Sequence, residues 1–279
     1  MGVYILSEQI AAQRLKIGKP NKKGNDHTGG YLLEIDRRYM EKGENYKNVW
    51  PDSLILHSPD REKLTKYQLQ YILSMWDSLN HVLTKGKRSE WIKLVDESSF
   101  IDFQLMEEFT FDTDGYNNST FLYKFNDITD RRWKMMAWDF DATYGNNNVG
   151  GWRTDIWHYQ KVIPSWWSHM MEDPEYCTRV KLRWKQYREG AYSKSSVEHV
   201  IDSMAHVLTT GGAEERNSRA WRIWHCSDEI WKGPTYIWPN KYVSSSYEDE
   251  IGYLKGWIDK RIDWMDSQLG YTEKEDRCQ

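Results

Sequence analysis

Apolar residues recur along this chain with two periods, and the switches between them outline its elements. Val3-Tyr4-Ile5-Leu6, within Gly2–Ile10, and Tyr31-Leu32-Leu33-Glu34-Ile35 are short apolar runs that read as strands. Between them, Lys16–Gly30 is rich in Lys, Gly, Asn and Pro without an apolar period, so it reads as a loop. From Asp60 to Leu83 the spacing turns helical, through Leu64, Tyr67, Leu69, Tyr71, Ile72, Met75, Leu79, Val82 and Leu83. Ile101, Leu105 and Phe109 stand at i, i+4, i+8 and predict a second helix, from Glu97 or Phe100 to about Phe109.

The period then returns to two. Thr120–Phe125 and Arg132–Ala137 alternate large and polar residues across the turn-prone Asn126-Asp127 and Thr129-Asp130, which predicts a β-hairpin. A Gly/Asn-rich stretch from Gly145 to Gly151 follows, and after it the chain reads as helical. Ser195-x-x-Glu198 is a capping box that predicts the start of a helix carrying Val200, Ile201, Met204, Val207 and Leu208, closed by Gly211-Gly212. Ser245-x-x-Glu248 opens the last helix, with Ile251, Leu254, Ile258, Ile262, Met265 and Leu269 on one face and Gly270 beyond its end. Strands first, a central hairpin and a mostly helical second half predict an α+β fold.

Composition narrows the class. The 279 residues include 16 Trp and 18 Tyr, enough large side chains for a sizeable core and far too many for a disordered chain. A net charge of −4 gives no electrostatic reason to expect nucleic acid as a partner. Cys177, Cys226 and Cys278 show no CxxC spacing, and the His residues show no HxxxH or HExxH spacing, which argues against a zinc site. No apolar run approaches the roughly 18 residues of a membrane span, and the N-terminus lacks a signal peptide's basic region.

Candidate chemistry gathers around the hairpin. Asp114-Gly115 stands where the second helix gives way to it, and Trp138-Asp139-Phe140-Asp141 follows its second strand. Protein-kinase-like folds use such a layout to hold a catalytic Asp and a magnesium-binding Asp around a triphosphate. Asp139 offers oxygen only, as Mg²⁺ prefers. Asn117, Asn118 or Ser119 offers a second, neutral oxygen, and Ser119 is the fifth residue after Asp114, the offset of the kinase catalytic-loop Asn. In an extended strand Asp139 and Asp141 would share a face and reach one cation; a backbone turn after Asp139 would leave only the first. The plainer reading makes Asp114-Gly115 a turn and the WDFD segment a strand end with solvated charges. Trp166, Trp167, Trp221, Trp224 and Trp257 fall at helical positions and read as core.

Nearly the whole chain resembles the CotH kinase family. Gly2-Val3-Tyr4-Ile5-Leu6-Ser7-Glu8 is similar to the family's GxYxLxE strand, and Gly30–Asp36 to the strand after it. Asp114–Lys124, and Trp138–Asp141 with Gly145-Asn146, match its two signature blocks. Trp166 to Asp173-Pro174, Arg183-Trp184, Arg216-Asn217, Trp221, Trp238-Pro239-Asn240 and Tyr247–Leu269 follow its helical half. The resemblance implies an atypical protein-kinase-like fold, with a reduced β-rich N-terminal lobe and a mostly helical C-terminal lobe. As one domain over 1–279 it divides into a partial lobe 1–50, a helical lobe 51–270 and a tail 271–279.

By the same resemblance Asp114 is the catalytic Asp and Asp139 a metal ligand, with Asp141, Ser119 and Asn118 as further ligand candidates. Trp138 is placed to stack on the base of ATP, and Glu8 or Glu34 to pair with a phosphate-holding base. The implied activity is ATP- and Mg²⁺- (or Mn²⁺-) dependent phosphoryl transfer to Ser or Thr of a coat or secreted protein, relatives being spore-coat or cell-surface proteins. Two departures matter. Ser119 stands where many members have Asn, and the chain begins almost at the GxYxLxE strand, without the basic portion that precedes it in relatives. A non-catalytic pseudokinase or structural relative is the alternative. A carbohydrate-binding module, suggested by the Trp count, would need exposed coplanar aromatics.

Overall fold

The computed structural model describes residues 3, 5, 10–18, 28–36, 54–146, 152–162, 164–221, 224 and 244–273. The Val3–Leu6 strand as a whole, Glu8, the Gly/Asn run 147–151, Cys226, Cys278 and the Trp238-Pro239-Asn240 block lie outside the described residues.

Four strands form one antiparallel sheet: β1 (Tyr31–Ile35), β2 (Leu54–Ser58), β3 (Thr120–Lys124) and β4 (Lys134–Met136), in the order β2-β1-β3-β4. β1 is buried along its whole length. Tyr31, Leu33 and Ile35 join the main core, whereas Leu32 joins a small second cluster with Phe121 and Ile17. The sheet is therefore covered on both faces, and the continuous apolar run of β1 is what such a strand requires. β2 does not stand out as a strand in the sequence pattern.

Helices α1 (Lys66–Lys85), α2 (Arg88–Trp91) and α3 (Glu97–Thr110) precede the hairpin. α1 opens on a Thr65/Gln68 capping box and buries Ile72, Trp76, Leu79 and Leu83 along one stripe. α3 buries residues on nearly every side, Phe100, Ile101, Phe103, Leu105 and Phe109 among them, because sheet and helices enclose it. After the hairpin come α4 (Trp166–Met170), α5 (Pro174–Arg188), α6 (Lys194–Thr210), α7 (Ala213–Trp221) and α8 (Tyr247–Leu269). Trp166 packs on α1 while Trp167 and Trp184 pack on α3; all three are fully buried, and each Trp→Ala change would cost roughly 3–5 kcal/mol. The fold is α+β, with strands early and helices late.

Three sequence expectations shift. α6 starts two residues before the predicted box: Ser193, held by its own N–H on Gly190 O at 3.0 Å, accepts from Ser196 N. α8 is capped by Ser246 rather than Ser245, whose N–H goes to the Asp249 carboxylate at 2.9 Å. Trp221 is 65% exposed instead of buried, and Val200, Met204 and Val207 of α6 are exposed among the described residues. Neither α6 nor α7 buries a residue, so these two form an outer layer where helical spacing alone does not exclude water.

Candidate active site

The site begins where α3 ends. Phe111 takes a left-handed conformation, φ 49°, and turns the chain into the loop Asp112–Ser119. Asp112 lies buried beneath that loop. Its Oδ1 accepts the Asp114 N–H at 3.1 Å, and its carbonyl accepts the Gly115 N–H at 3.2 Å. Asp114 in turn accepts the Asn118 N–H at its carbonyl (2.9 Å) and the Asn118 side-chain N–H at Oδ1 (3.2 Å). Asp114 is thus held through its carboxylate and from the backbone, at a half-buried position.

Gly115 serves close approach. A Cβ there would sit 2.0 Å from Glu107 Oε2, so only hydrogen lets the loop lie on this helix residue. Gly145, with φ +83°, does the same for the second loop, since a Cβ would meet Tyr253 Oη at 2.6 Å and Trp257 Cδ1 at 2.7 Å.

The hairpin delivers the second carboxylate. β3 and β4 pair Phe121 with Met136, and beyond β4 the chain reaches Asp139 in a left-handed conformation, φ 65°. That turn removes the extended geometry in which Asp139 and Asp141 would share a strand face. Ser119 donates from Oγ to Asp139 Oδ2 at 3.1 Å, joining the two loops. Thr113 N on Ala142 O (3.4 Å) and Tyr144 N on Thr110 O (2.7 Å) tie them further. Of the six described non-glycine residues with positive φ, five lie here: Phe111, Tyr116, Ser119, Asp139 and Tyr144. Each costs on the order of 1 kcal/mol, a concentration of strain typical of positions held for function.

The electrostatics are acidic. Burial pushes the Asp112 carboxyl up to about 7, and the nearby charges of Asp114, Asp141 and Asp139 add to the rise. Glu107, wholly buried, is raised well above the usual carboxylate range by desolvation and then by Asp112 and Glu108, and its Oε2 has no hydrogen-bond partner among the described residues. Glu108 is also buried but gathers donors: Arg261 Nη2 at 3.0 Å, Tyr116 Oη at 2.9 Å, and the N–H groups of His158 and Tyr159 at 2.9 and 2.8 Å. Arg261 carries on to the carbonyls of Glu108, Thr154 and Ile156, so a single ion pair fastens the Asp114 loop to α3, the 154–159 segment and α8.

Of the residues singled out from sequence, Asp114, Asn118, Ser119, Asp139 and Asp141 come together around the hairpin's open end. Trp138 is half-buried and packs in the second cluster beside Met136 and Phe121. Glu34 lies on β1 opposite Phe121 and pairs with His57, Nε2 to Oε2 at 2.5 Å. Asp112, Glu107, Glu108, Arg261 and His57 carried no recognisable sequence signal. Glu107 and Glu108 are a buried acidic pair inside a helix whose apolar spacing describes only one face.

The donor set is all oxygen, which fits Mg²⁺ or Mn²⁺ brought in with a nucleotide. Such ions are held by one or two carboxylates plus phosphates and waters. No group of three or more His, Cys, Asp or Glu that could hold a metal ion occurs among the described residues, so this is no closed protein cage. Among the described residues no helix is long and apolar enough to cross a membrane. Residues 1–265 match the family model described as CotH kinase protein. No curated protein and no solved structure gives a significant match.

Proposed function

This chain belongs to the CotH kinase family, and from that premise we propose that it is an atypical protein kinase moving the γ-phosphoryl group of ATP to a Ser or Thr hydroxyl of a coat or secreted protein. The observation that carries the reading is the 3.1 Å bond between Ser119 and Asp139, which draws the Asp139 turn to the loop of Asp114. Asp114, steadied by Asn118, orients the acceptor hydroxyl and takes its proton. Asp139 would be the carboxylate for Mg²⁺ or Mn²⁺, with Ser119 Oγ or the Asn118 amide oxygen as neutral companions; the turn at Asp139 takes Asp141 off the shared face that would have made it a second ligand. The ion, when bound, neutralises phosphate charge. Trp138, with Phe121 and Met136 beside it, offers an apolar surface for the base. One domain over 1–279 accommodates these roles.

A non-catalytic relative is the second reading.

Calorimetry of ATP with Mg²⁺ or Mn²⁺ separates the two. Metal-dependent binding that Asp139→Ala abolishes supports the kinase, with Asp114→Ala then keeping binding but losing transfer by about 10²-fold or more. A folded wild type that binds no ATP leaves the non-catalytic reading.

A further inference from the structure

β2 runs in register with β1 except at one point. Leu33 stands opposite Leu56, but the next residue back, Leu32, stands opposite Ser58, so His57 is the extra residue of a β-bulge. Bulges re-aim a side chain and are frequent beside active sites. Leu54 and Leu56 point into the main core, while Ile55 sits opposite Glu34 on the other face. His57 follows that alternation onto the face away from the main core. Its Nε2 lies 2.5 Å from Glu34 Oε2, and its ring centroid lies 5.3 Å from that of Phe121 on β3. The imidazole therefore reaches from β2 across the central strand to β3.

Phe121 is two residues along the chain from Ser119, roughly 7 Å of strand from the residue that holds Asp139. Met136, opposite Phe121, and Trp138 continue the same surface toward Asp139. Of the hairpin's other cations, Lys124 is committed to Asp127, Arg132 to Asp130, and Lys134 to Asp96 and Asp130, while Arg131 lies in the connection between β3 and β4, at the opposite end from Asp139. A polyphosphate entering this acidic end needs positive partners besides the metal ion. The His57 side chain is 40% exposed, and Nδ1 has no partner among the described residues. As imidazolium it donates one N–H to Glu34 and keeps the other for an anion.

We propose that His57, aimed by the bulge and anchored by Glu34, is the cationic group that takes a phosphate oxygen of the bound nucleotide. The proposal rests on the nucleotide-binding reading above and gives Glu34 a partner that the sequence did not reveal.

The test is calorimetry of ATP, ADP and adenosine, each with Mn²⁺, on the full chain and on His57→Gln, His57→Lys and Asp139→Ala, with thermal melts to confirm folding. His57→Gln should weaken ATP and ADP on the order of 10- to 100-fold, the worth of one charge-assisted bond, and leave adenosine unchanged. His57→Lys should hold ATP within a few-fold of wild type. If His57→Gln binds ATP like wild type while Asp139→Ala does not, the role of His57 is wrong and the kinase reading stands. Equal weakening of adenosine and ATP would also overturn it, by pointing to the base or to the frame. A folded wild type that binds neither ATP nor ADP overturns both.

Discussion

Glu107 and Glu108 are neighbours on α3, both wholly buried, and they live in opposite conditions. Glu108 collects four donors, one of them an arginine, and all of them serve to hold α3, the Asp114 loop, the 154–159 segment and α8 together. Glu107 has an oxygen with no partner among the described residues and faces Gly115 and the raised Asp112. The first arrangement is a frame in which a buried charge is matched bond for bond. The second is the underside of a loop that carries acids at close range and strained φ angles. A fold spends its complete hydrogen-bond networks where rigidity is needed and tolerates unmatched groups where chemistry is placed.

Breaking the frame should have the largest effect. Glu108→Ala leaves Arg261 buried without its partner and should cost about 3–5 kcal/mol in urea unfolding. Glu107→Gln, which keeps the shape of a side chain that burial already disfavours as an anion, should cost less than about 1 kcal/mol. Equal losses in the two variants would erase the distinction between them.

His158 sharpens the comparison through pH. It stacks on Phe111 with centroids 5.3 Å apart, and burial, then Arg261, pushes its imidazole down to about 4. The unfolded chain takes up a proton near pH 6.5 that the folded chain refuses, so this contribution is full above pH 6.5 and lost as pH falls toward 4. The difference reaches about 3 kcal/mol. Asp112, raised to about 7, acts in the opposite sense: stability declines between the carboxyl's ordinary range and pH 7 as its charge is demanded. Urea midpoints of wild type and His158→Phe at pH 7 and pH 5 separate the two, since only wild type should lose the histidine term.

The smallest effect belongs to the join between the loops. Ser119→Ala removes the bond to Asp139 and should cost about 1 kcal/mol of stability. It should also raise the concentration of Mn²⁺ needed for ATP binding several-fold, read by calorimetry. An unchanged metal requirement would mean that Ser119 ties the loops without touching the ion.

Much of the layout was legible in the chain. The strand at Tyr31–Ile35, the helix at Glu97–Thr110, the hairpin and the final helix all follow from apolar period, and Gly270 ends the last of them at φ 70° as expected. The placement of Asp114, Ser119 and Asp139 in the loops at the ends of the hairpin was legible too, because turn chemistry and hairpin length place them by local rules. β2 was not, since a five-residue strand with one bulge shows too little alternation to be counted. Trp221 was misread because burial belongs to the helix's place in the molecule, not to its spacing.

The sequence by itself determined that Asp114, Ser119 and Asp139 stand in the loops flanking the hairpin and how the hairpin brackets them, since those depend on neighbours a few positions away. Only the tertiary structure decided which carboxyls are buried, which loop lies on which helix, and that His57 reaches Glu34 across a bulge. Those outcomes depend on desolvation and on partners from distant segments, such as Arg261 for Glu108, and no local pattern records how deeply a group will be buried or who will meet it there.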